Sequence, residues 1–388
     1  MPSRPMSAED LLAGAREAAL VAGRHAEEAD AGRELPRPAA EALVAAGFAR
    51  HFVPAHRGGS AGTATDLLRA VAEVGQGCTS AAWCASVIAG AARMGAYLPE
   101  EGQEALWAEG PDTVVVGALM PRGSAVPVPG GWRVTGEWSY TSAVGFSEWA
   151  LVCALVPRGE TREPWFFALP RRDYEVKRTW SPVGMCGTGS DTLVVDGAFV
   201  PDAYGFPRER MATGGSVGSD ARCHTAPLRL LSGIVFGAPA LGAARAALRV
   251  WARGQASAGP VQVPGQSPGQ NPAQDPVPRT LLARATIAVD AAGLLLERAA
   301  HLADAPAATR VELARSPAEC ALAVEQLVDV VERLVRASGS SSQLAGHPLQ
   351  RIWRDVHGLA SHVALRFDPP GGAYGALLLE SSGTVPAP

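Results

Sequence analysis

The hydrophobic period of this chain changes twice along its length, and this limits the possible folds more than any other feature. From residue 7 to about 110, apolar residues recur at the spacing of amphipathic helices. From about 112 to 205 they form short alternating runs, separated by turn residues such as 129–131 and 157–160, which is typical of strands. Helical spacing returns from about 225 to 366. This order predicts an α+β protein with a small antiparallel sheet or barrel between two helical parts.

We place the boundaries of three domains at the two changes of period. An N-terminal α-helical domain is predicted over residues 1–112, a central antiparallel β-domain over 113–210 and a C-terminal helical bundle over 211–388. The stretch 253–280 is rich in Pro, Gly, Gln and Ser, which predicts a long loop, either a lid or a tolerated insertion. The apolar segment 228–248 predicts a buried bundle helix that is broken or kinked near its proline.

Composition narrows the class of protein. With 47% hydrophobic and 19% charged residues, the chain has the composition of a globular protein, and its net charge of −4 gives no reason to expect nucleic acid as a partner. No apolar run approaches the length of a transmembrane helix or a signal peptide. None of the six cysteines forms a CxxC pair. We therefore expect a cytoplasmic protein with reduced cysteines, without a metal site and without a membrane partner.

The segment 351–365, RIWRDVHGLASHVAL, carries two of the eight histidines of the chain. His357 and His362 are five residues apart, so one helix does not readily offer both to a single metal ion. If the whole segment is helical, Arg351, Asp355 and His362 share a stripe of roughly 40°. Two ordinary interpretations stay open, namely a hydrogen-bonded helix histidine and an i,i+4 ion pair between Arg351 and Asp355.

Three segments together resemble the acyl-CoA dehydrogenase superfamily. They are SPVGMCGTGSDTLVVDGAFVP at 181–201, GGWRVTGEWSYTSAVGFSEWALV at 130–152 and GHPLQRIWRDVHGLASH at 346–362. They occur in the order of that superfamily, and the resemblance extends over nearly the whole chain. It implies that the C-terminal helices form a four-helix bundle.

The resemblance is closer to one branch of the superfamily than to the dehydrogenases. A dehydrogenase needs a carboxylate base, but Val363 is near the position of the usual glutamate, and no Asp or Glu occurs from Ala221 to Gln274. In contrast, FVPAHRGG, TSAAWCASV and WSYTSAVGFSEW resemble segments of the two-component flavin monooxygenases. The specific likeness is to the 4-hydroxyphenylacetate 3-hydroxylase oxygenase type, group D.

This resemblance implies a reaction and its participants. Such enzymes take reduced flavin, FMNH2 or FADH2, from a separate NAD(P)H-dependent reductase and use O2, through a C4a-hydroperoxide, to oxygenate a small or polycyclic aromatic substrate. They usually form homotetramers. By position, Ser142 is expected to hydrogen-bond near flavin N5, and His362 to stabilise the peroxide or act as an acid or base, since an ordinary histidine titrates near neutrality.

The resemblance also implies further cofactor contacts. Thr141 and Trp180 are expected beside the isoalloxazine, Arg253 on the flavin phosphate of a neighbouring subunit, and Ser340 and Ser341 in a loop near the cofactor. More ordinary interpretations stay open: Ser142 as a strand serine, Trp180 as a core residue and Arg253 as a solvated helix-end cation. The Gly-Thr-Gly-Ser turn at 187–190 is interpreted as folding the β-domain rather than as catalytic.

The chain departs from this branch at two positions. Many relatives carry a histidine near the position of Ala91, and Cys186 stands where the superfamily usually has an arginine. The reaction therefore has alternatives on the same fold. These are a flavin-dependent dehydrogenase or oxidase, an N-oxygenase similar to nitrososynthases, and a non-catalytic relative that binds a small molecule.

Overall fold

The computed structural model describes residues 6–257 and 276–382, and its first part is helical. Ser7 caps the first helix, because its hydroxyl accepts the N–H of Asp10 at 3.1 Å while the Asp10 carboxylate accepts the N–H of Ser7. The helices are α1 (Ala8–Arg24), α2 (Ala26–Gly32), α3 (Arg37–Ala45), α4 (Ala64–Gly75), α5 (Thr79–Gly95) and α6 (Glu100–Leu106). The α5 helix is buried on nearly every face, so it forms the centre of this part.

The middle of the chain forms one seven-stranded sheet in the order β5-β6-β2-β1-β3-β4-β7. The strands are β1 (Val115–Val128), β2 (Gly131–Thr141), β3 (Trp149–Arg158), β4 (Thr161–Pro170), β5 (Glu175–Lys177), β6 (Asp191–Pro201) and β7 (Gly205–Pro207). The prediction of a purely antiparallel sheet is wrong at one pair, since β1 and β3 are parallel. Strand β2 runs antiparallel to β1, and the chain then turns again, so β3 runs in the same direction as β1. It pairs with the edge of β1 that β2 leaves unpaired.

The last part is again helical, which confirms the α+β class. Its elements are α7 (Arg208–Thr213), α8 (Arg222–Thr225), α9 (Leu228–Ser257), α10 (Pro276–Asp304), α11 (Arg310–Ala337), α12 (Pro348–Ala360) and α13 (Asp368–Ser382). The three long helices α9, α10 and α11 pack on one another, α12 packs against α9 and α11, and α13 against α11. Helix α9 also packs against α4 and α5, so it joins the two helical parts.

Helix α9 runs through Pro239 without the predicted break. Proline has no N–H, so the carbonyl of Val235, four residues earlier, has no intrahelical donor. The buried hydroxyl of Ser86, on α5, donates to this carbonyl at 2.6 Å. A contact between two helices therefore replaces the missing bond and keeps the helix continuous.

The predicted loop 253–280 is shorter than expected, because α9 continues to Ser257 and α10 begins at Pro276. The remainder, 258–275, lies outside the described residues, so the lid interpretation stays a prediction. Among the helices of the described part, only α9, over Leu228–Ala256, has the length and apolar composition to cross a membrane, and 89% of its most apolar window is buried inside the protein.

Candidate active site

The loop between β5 and β6 sets the geometry of the site. Met185 and Gly189 both adopt left-handed backbone conformations, with φ of 60° and 53°, and enclose a turn of 3-10 helix at Cys186–Thr188. The carbonyl of Thr188 accepts the N–H of Ala143 at 2.9 Å. This bond holds the loop against the end of β2, beside Ser142.

Three hydroxyl groups connect Ser142 to the loop. The Ser142 and Ser190 oxygens lie 2.7 Å apart, the Ser190 and Thr188 oxygens also lie 2.7 Å apart, and the Thr188 hydroxyl donates to the carbonyl of Met185 at 2.9 Å. Ser190 and Thr188 are buried, and Ser142 is half-buried at the open end. We call Ser142, Ser190 and Thr188 the hydroxyl relay.

The proton count fixes the direction of the hydroxyl relay. Each hydroxyl has one proton to donate. Thr188 gives its proton to a carbonyl, which can only accept, so Ser190 must donate to Thr188, and Ser142 must donate to Ser190. The indole N–H of Trp83 also points to the Ser142 oxygen, at 2.9 Å. Ser142 therefore has no proton left for a ligand, and its free lone pair can accept a hydrogen bond.

Trp83 connects Ser142 to His362. The indole ring meets the His362 ring edge-on, with centroids 5.5 Å apart, and the Phe236 ring lies 4.0 Å from the His362 ring. The Trp83 and Phe236 centroids are 5.4 Å apart, so the three rings form a closed aromatic cluster. Elements α5, α9 and the segment after α12 thus bring residues from three distant parts of the sequence to Ser142.

The structure corrects two expectations about His362. Helix α12 ends at Ala360, and His362 has an extended backbone, so it does not belong to the helical stripe of Arg351 and Asp355. Burial lowers the pKa of His362 to about 4, well below the neutral range expected for an acid or base. Its Nδ1 accepts the N–H of Ala364 at 3.2 Å. A neutral imidazole with an accepting Nδ1 carries its proton on Nε2, so His362 presents a hydrogen-bond donor.

The Arg-Asp pair supports the loop from behind. The buried carboxylate of Asp355 accepts the N–H of Met185 at 2.6 Å, and burial raises the pKa of Asp355 to about 7. A Cβ at Gly184 would collide with the carbonyl of Arg354, so only glycine allows the loop to lie this close to α12. The Arg354 guanidinium forms an ion pair with Asp30, 2.7 Å apart, and lies 3.9 Å from the sulfur of Cys186. Asp355 thus binds the loop, in place of the suggested i,i+4 ion pair.

Trp180 and Thr141 lie next to the hydroxyl relay. The indole N–H of Trp180 donates to the carbonyls of Met185 and Cys186, at 3.1 and 3.0 Å, so its ring is fixed on the loop and half-buried. The exposed ring of Tyr140 meets it edge-on at 6.1 Å. Thr141 is buried, and its hydroxyl donates to the carbonyl of Trp138. Trp180 is therefore placed to contact a flat ligand, whereas the Thr141 hydroxyl serves the turn.

The remaining predicted cofactor residues lie away from the aromatic cluster. At about 1.5 Å per residue, Arg253 is about 25 Å further along α9 than Phe236. Ser340 and Ser341 are exposed on a turn before α12, where the Ser341 hydroxyl donates to the carbonyl of Ser338. Within the described part of the chain, these three residues have no contact with the aromatic cluster. Their cofactor roles stay predictions.

An apolar cavity adjoins the aromatic cluster between α5, β1 and α9. It is partly open and has a volume of about 80 Å³. The lining residues are Val87, Gly90, Ala91, Arg93, Met94, Gly117, Leu119, Met211, Leu228, Leu231, Ser232, Val235 and Phe236. Ala91 is among them, and its small side chain leaves space at this wall. A larger open cleft of about 840 Å³ lies elsewhere, between α3 and the sheet.

Sequence reasoning missed several members of this site. Trp83 lies in a quoted motif and was open to recognition, and Thr188 and Ser190 belong to a turn that was interpreted as folding only. Phe236 had no local signal, since it is one apolar residue among many in α9. The cavity itself has no signal in the sequence.

The comparisons agree with this architecture. Residues 234–367 match the family model of the acyl-CoA dehydrogenase C-terminal domain. A curated relative is the oxygenase component of the FADH2-dependent resorcinol hydroxylase from Rhizobium sp. strain MTP-10005. It is 29% identical over 389 residues, which cover 95% of this chain and 93% of the relative.

Two solved structures are similar over almost the whole chain. The HsaA monooxygenase from M. tuberculosis superposes with a TM-score of 0.87 at 26% identity, covering 98% of this chain and 99% of that one. XiaF from Streptomyces sp., solved in complex with FADH2 and glycerol, has a TM-score of 0.87 at 23% identity, and 98% of each chain is covered. The latter likeness shows the fold.

Proposed function

We propose that this chain belongs to the two-component flavin-dependent monooxygenase branch of the acyl-CoA dehydrogenase superfamily, and that it is an oxygenase component acting on an aromatic substrate. It uses reduced flavin and O2, and a separate NAD(P)H-dependent flavin reductase supplies the reduced flavin. Relatives with these activities include the resorcinol hydroxylase component.

One observation carries the proposal, and it is the direction of the hydroxyl relay. Reduced flavin has an N–H at N5, whereas oxidised flavin has a bare nitrogen there. Ser142 offers an acceptor and no proton, because its own proton is given to Ser190. The residues therefore fit the reduced form of the cofactor and leave an oxidised N5 without a donor from Ser142. Ser142 and Trp180 would hold the ring system, beside the aromatic cluster.

The chain's own residues then have defined tasks. Bound reduced flavin supplies the activation of O2. His362 carries its proton on Nε2 and stays neutral at physiological pH, so this N–H can stabilise developing negative charge on oxygen while the ring itself carries no charge. The Trp83 and Phe236 rings pack against His362, which is half-buried, and limit the access of water to it.

The cavity supports oxygenation over dehydrogenation. Removal of a proton beside a carbonyl needs a base, yet no carboxylate is among the described residues that line the cavity or form the aromatic cluster and hydroxyl relay. The nearby Asp355 is occupied by the N–H of Met185. An aromatic ring that reacts with activated oxygen needs no such base for its carbon atoms.

The proposal includes an assembly and a location. The protein is a cytoplasmic homotetramer, without a nucleic-acid or membrane partner, in which Arg253 contacts the phosphate of flavin bound to a neighbouring subunit and Ser340 and Ser341 belong to a loop near the cofactor. The exposed side chains of Ile287 and Leu294, 69% and 67% accessible on one face of α10, support an interface between copies. Light scattering of the purified protein tests the tetramer, and a monomeric mass would contradict it.

Rapid mixing tests the function. The protein is combined anaerobically with photoreduced FMN or FAD and then with 18O2 and a panel of phenols that includes resorcinol. We expect reoxidation slower than that of free flavin, a reduced yield of H2O2, and 18O in a hydroxylated product. Ser142→Ala is expected to raise the H2O2 yield, whereas the control Ser139→Ala, at an exposed serine near the end of β2, leaves it unchanged. Reoxidation at the free-flavin rate with full H2O2 yield would refute the proposal.

A further inference from the structure

Arg93 is a buried cation at the wall of the cavity. Its side chain is only 2% exposed, and it is one of the residues that line the cavity beside Met94 and Leu228. Its Nε and Nη2 donate to the carbonyls of Cys223 and Ala226, and its guanidinium lies 5.2 Å from the centre of the Tyr97 ring. These contacts fix the guanidinium at the junction of α8 and α9.

Among the residues that the structure describes, no carboxylate pairs with the charge of Arg93. Burial lowers the pKa of Arg93. The titratable side chains that also act on this pKa are those of Tyr97, Cys223 and Arg222, and none of them is an aspartate or glutamate. The segment of the chain around these carbonyls contains no acidic residue from Ala221 to Ser257. Two neutral carbonyls take two of the five N–H groups of a guanidinium. A buried cation in this situation is costly unless an anion joins it.

The position of Arg93 relates it to the reacting end of the site. Phe236, which lines the cavity and stacks on His362, is about 12 Å further along α9 than Leu228, at the Arg93 end. The volume of this partly open cavity, about 80 Å³, is smaller than the roughly 150 Å³ of an apolar cavity that holds benzene. The cavity therefore accepts a substituent and the edge of a ring, and the ring itself extends towards His362.

We propose that Arg93 determines specificity by binding an anionic substituent, such as a carboxylate, on the far side of the aromatic substrate from the carbon that is oxygenated. This inference rests on the proposed function for the aromatic nature of the substrate. The apolar walls hold the body of the molecule, and the guanidinium binds its anionic end with charge-assisted hydrogen bonds. A neutral analogue of the same shape leaves the buried charge uncompensated.

Binding of two matched probes tests the proposal without turnover. The probes are 3-(4-hydroxyphenyl)propionate and its neutral amide, and their dissociation constants are measured by calorimetry with and without oxidised FMN. For the natural chain we expect the carboxylate to bind at least about 10-fold more tightly than the amide. Arg93→Met is expected to abolish this ratio and leave amide binding within about twofold. Arg93→Lys, which keeps the charge, is expected to retain part of the ratio.

Arg210→Met is the matched control. Arg210 lies nearby and also binds a carbonyl, that of Tyr97, but it is not among the residues that line the cavity. We expect it to keep the full carboxylate preference. If Arg93→Met does not fold, the comparison of the two probes on the natural chain still decides, since the absence of a carboxylate preference there overturns the inference. A carboxylate preference without any oxygenation would instead refute the proposed function and leave this inference standing.

Discussion

Ser86 offers the sharpest test of how the site is held together. Its hydroxyl is fully buried and is the donor to the Val235 carbonyl, which Pro239 leaves without an intrahelical partner. Val235 and Phe236 both line the cavity, and Phe236 stacks on His362. Replacing Ser86 with alanine therefore leaves a buried carbonyl unpaired next to the site.

The magnitude follows from the cost of an unpaired buried polar group. This cost is about 1–3 kcal/mol in the free energy of unfolding. With an unfolding entropy of about 2 cal/mol/K per residue, a chain of 388 residues that unfolds as one unit loses about 1 °C of Tm per kcal/mol. Ser86→Ala is therefore expected to lower Tm by about 1–4 °C. Differential scanning calorimetry of flavin-free protein resolves this and avoids stabilisation by the ligand.

A double-mutant cycle isolates the mechanism. In Pro239→Ala, residue 239 regains an N–H, so the Val235 carbonyl has an intrahelical donor again. In that background we expect Ser86→Ala to cost less than half as much. Ser232→Ala is the control, because the Ser232 hydroxyl also donates to a carbonyl of α9, that of Leu228. This carbonyl already accepts the backbone N–H of Ser232 within the helix, so it stays paired when the hydroxyl is removed. We expect a change within about 0.5 kcal/mol there. An equal cost of Ser86→Ala in both backgrounds would refute the reasoning.

Four further predictions concern the site. Ser190→Ala releases the proton of Ser142 from the relay, so the preference for reduced over oxidised flavin is expected to fall about 5- to 10-fold in the ratio of dissociation constants. Thr188→Ser keeps the relay and should leave this ratio intact. An unchanged ratio in Ser190→Ala would contradict the assigned direction of the relay. Because burial lowers the pKa of His362 to about 4, the yield of H2O2 per reduced flavin is expected to be constant from about pH 5 to about pH 8. A change in this yield near pH 6.5 that occurs in the natural chain and not in His362→Asn would show that the imidazole titrates normally. The same shift means that His362 reduces stability as pH falls from 6.5 towards 4, since only the unfolded chain takes up its proton in that window. Asp355→Ala removes the acceptor of the Met185 N–H and is expected to lower the free energy of unfolding by about 1–3 kcal/mol, measured by calorimetry. Asp355→Asn retains an acceptor and should lower this free energy clearly less. Equal losses in the two variants would show that the charge of Asp355, not its hydrogen bond, holds the loop.

The sequence by itself determined the class of fold and carried the resemblance to the flavin monooxygenases. Hydrophobic period is a local property, so the change from helix to strand and back was predictable. Ser142 and His362 were found through motifs, which are also read along the chain. The direction of β3 was not predictable in this way, because strand pairing depends on which side of β1 is free.

The tertiary structure alone decided how these residues work. The low pKa of His362 comes from its burial against Phe236, which is more than a hundred residues away in the chain. The direction of the hydroxyl relay depends on the carbonyl of Met185, which a distant carboxylate on α12 holds in place. The continuity of α9 depends on a hydroxyl from α5. Protonation states and hydrogen-bond directions follow from which groups meet in space, and sequence spacing does not contain that information.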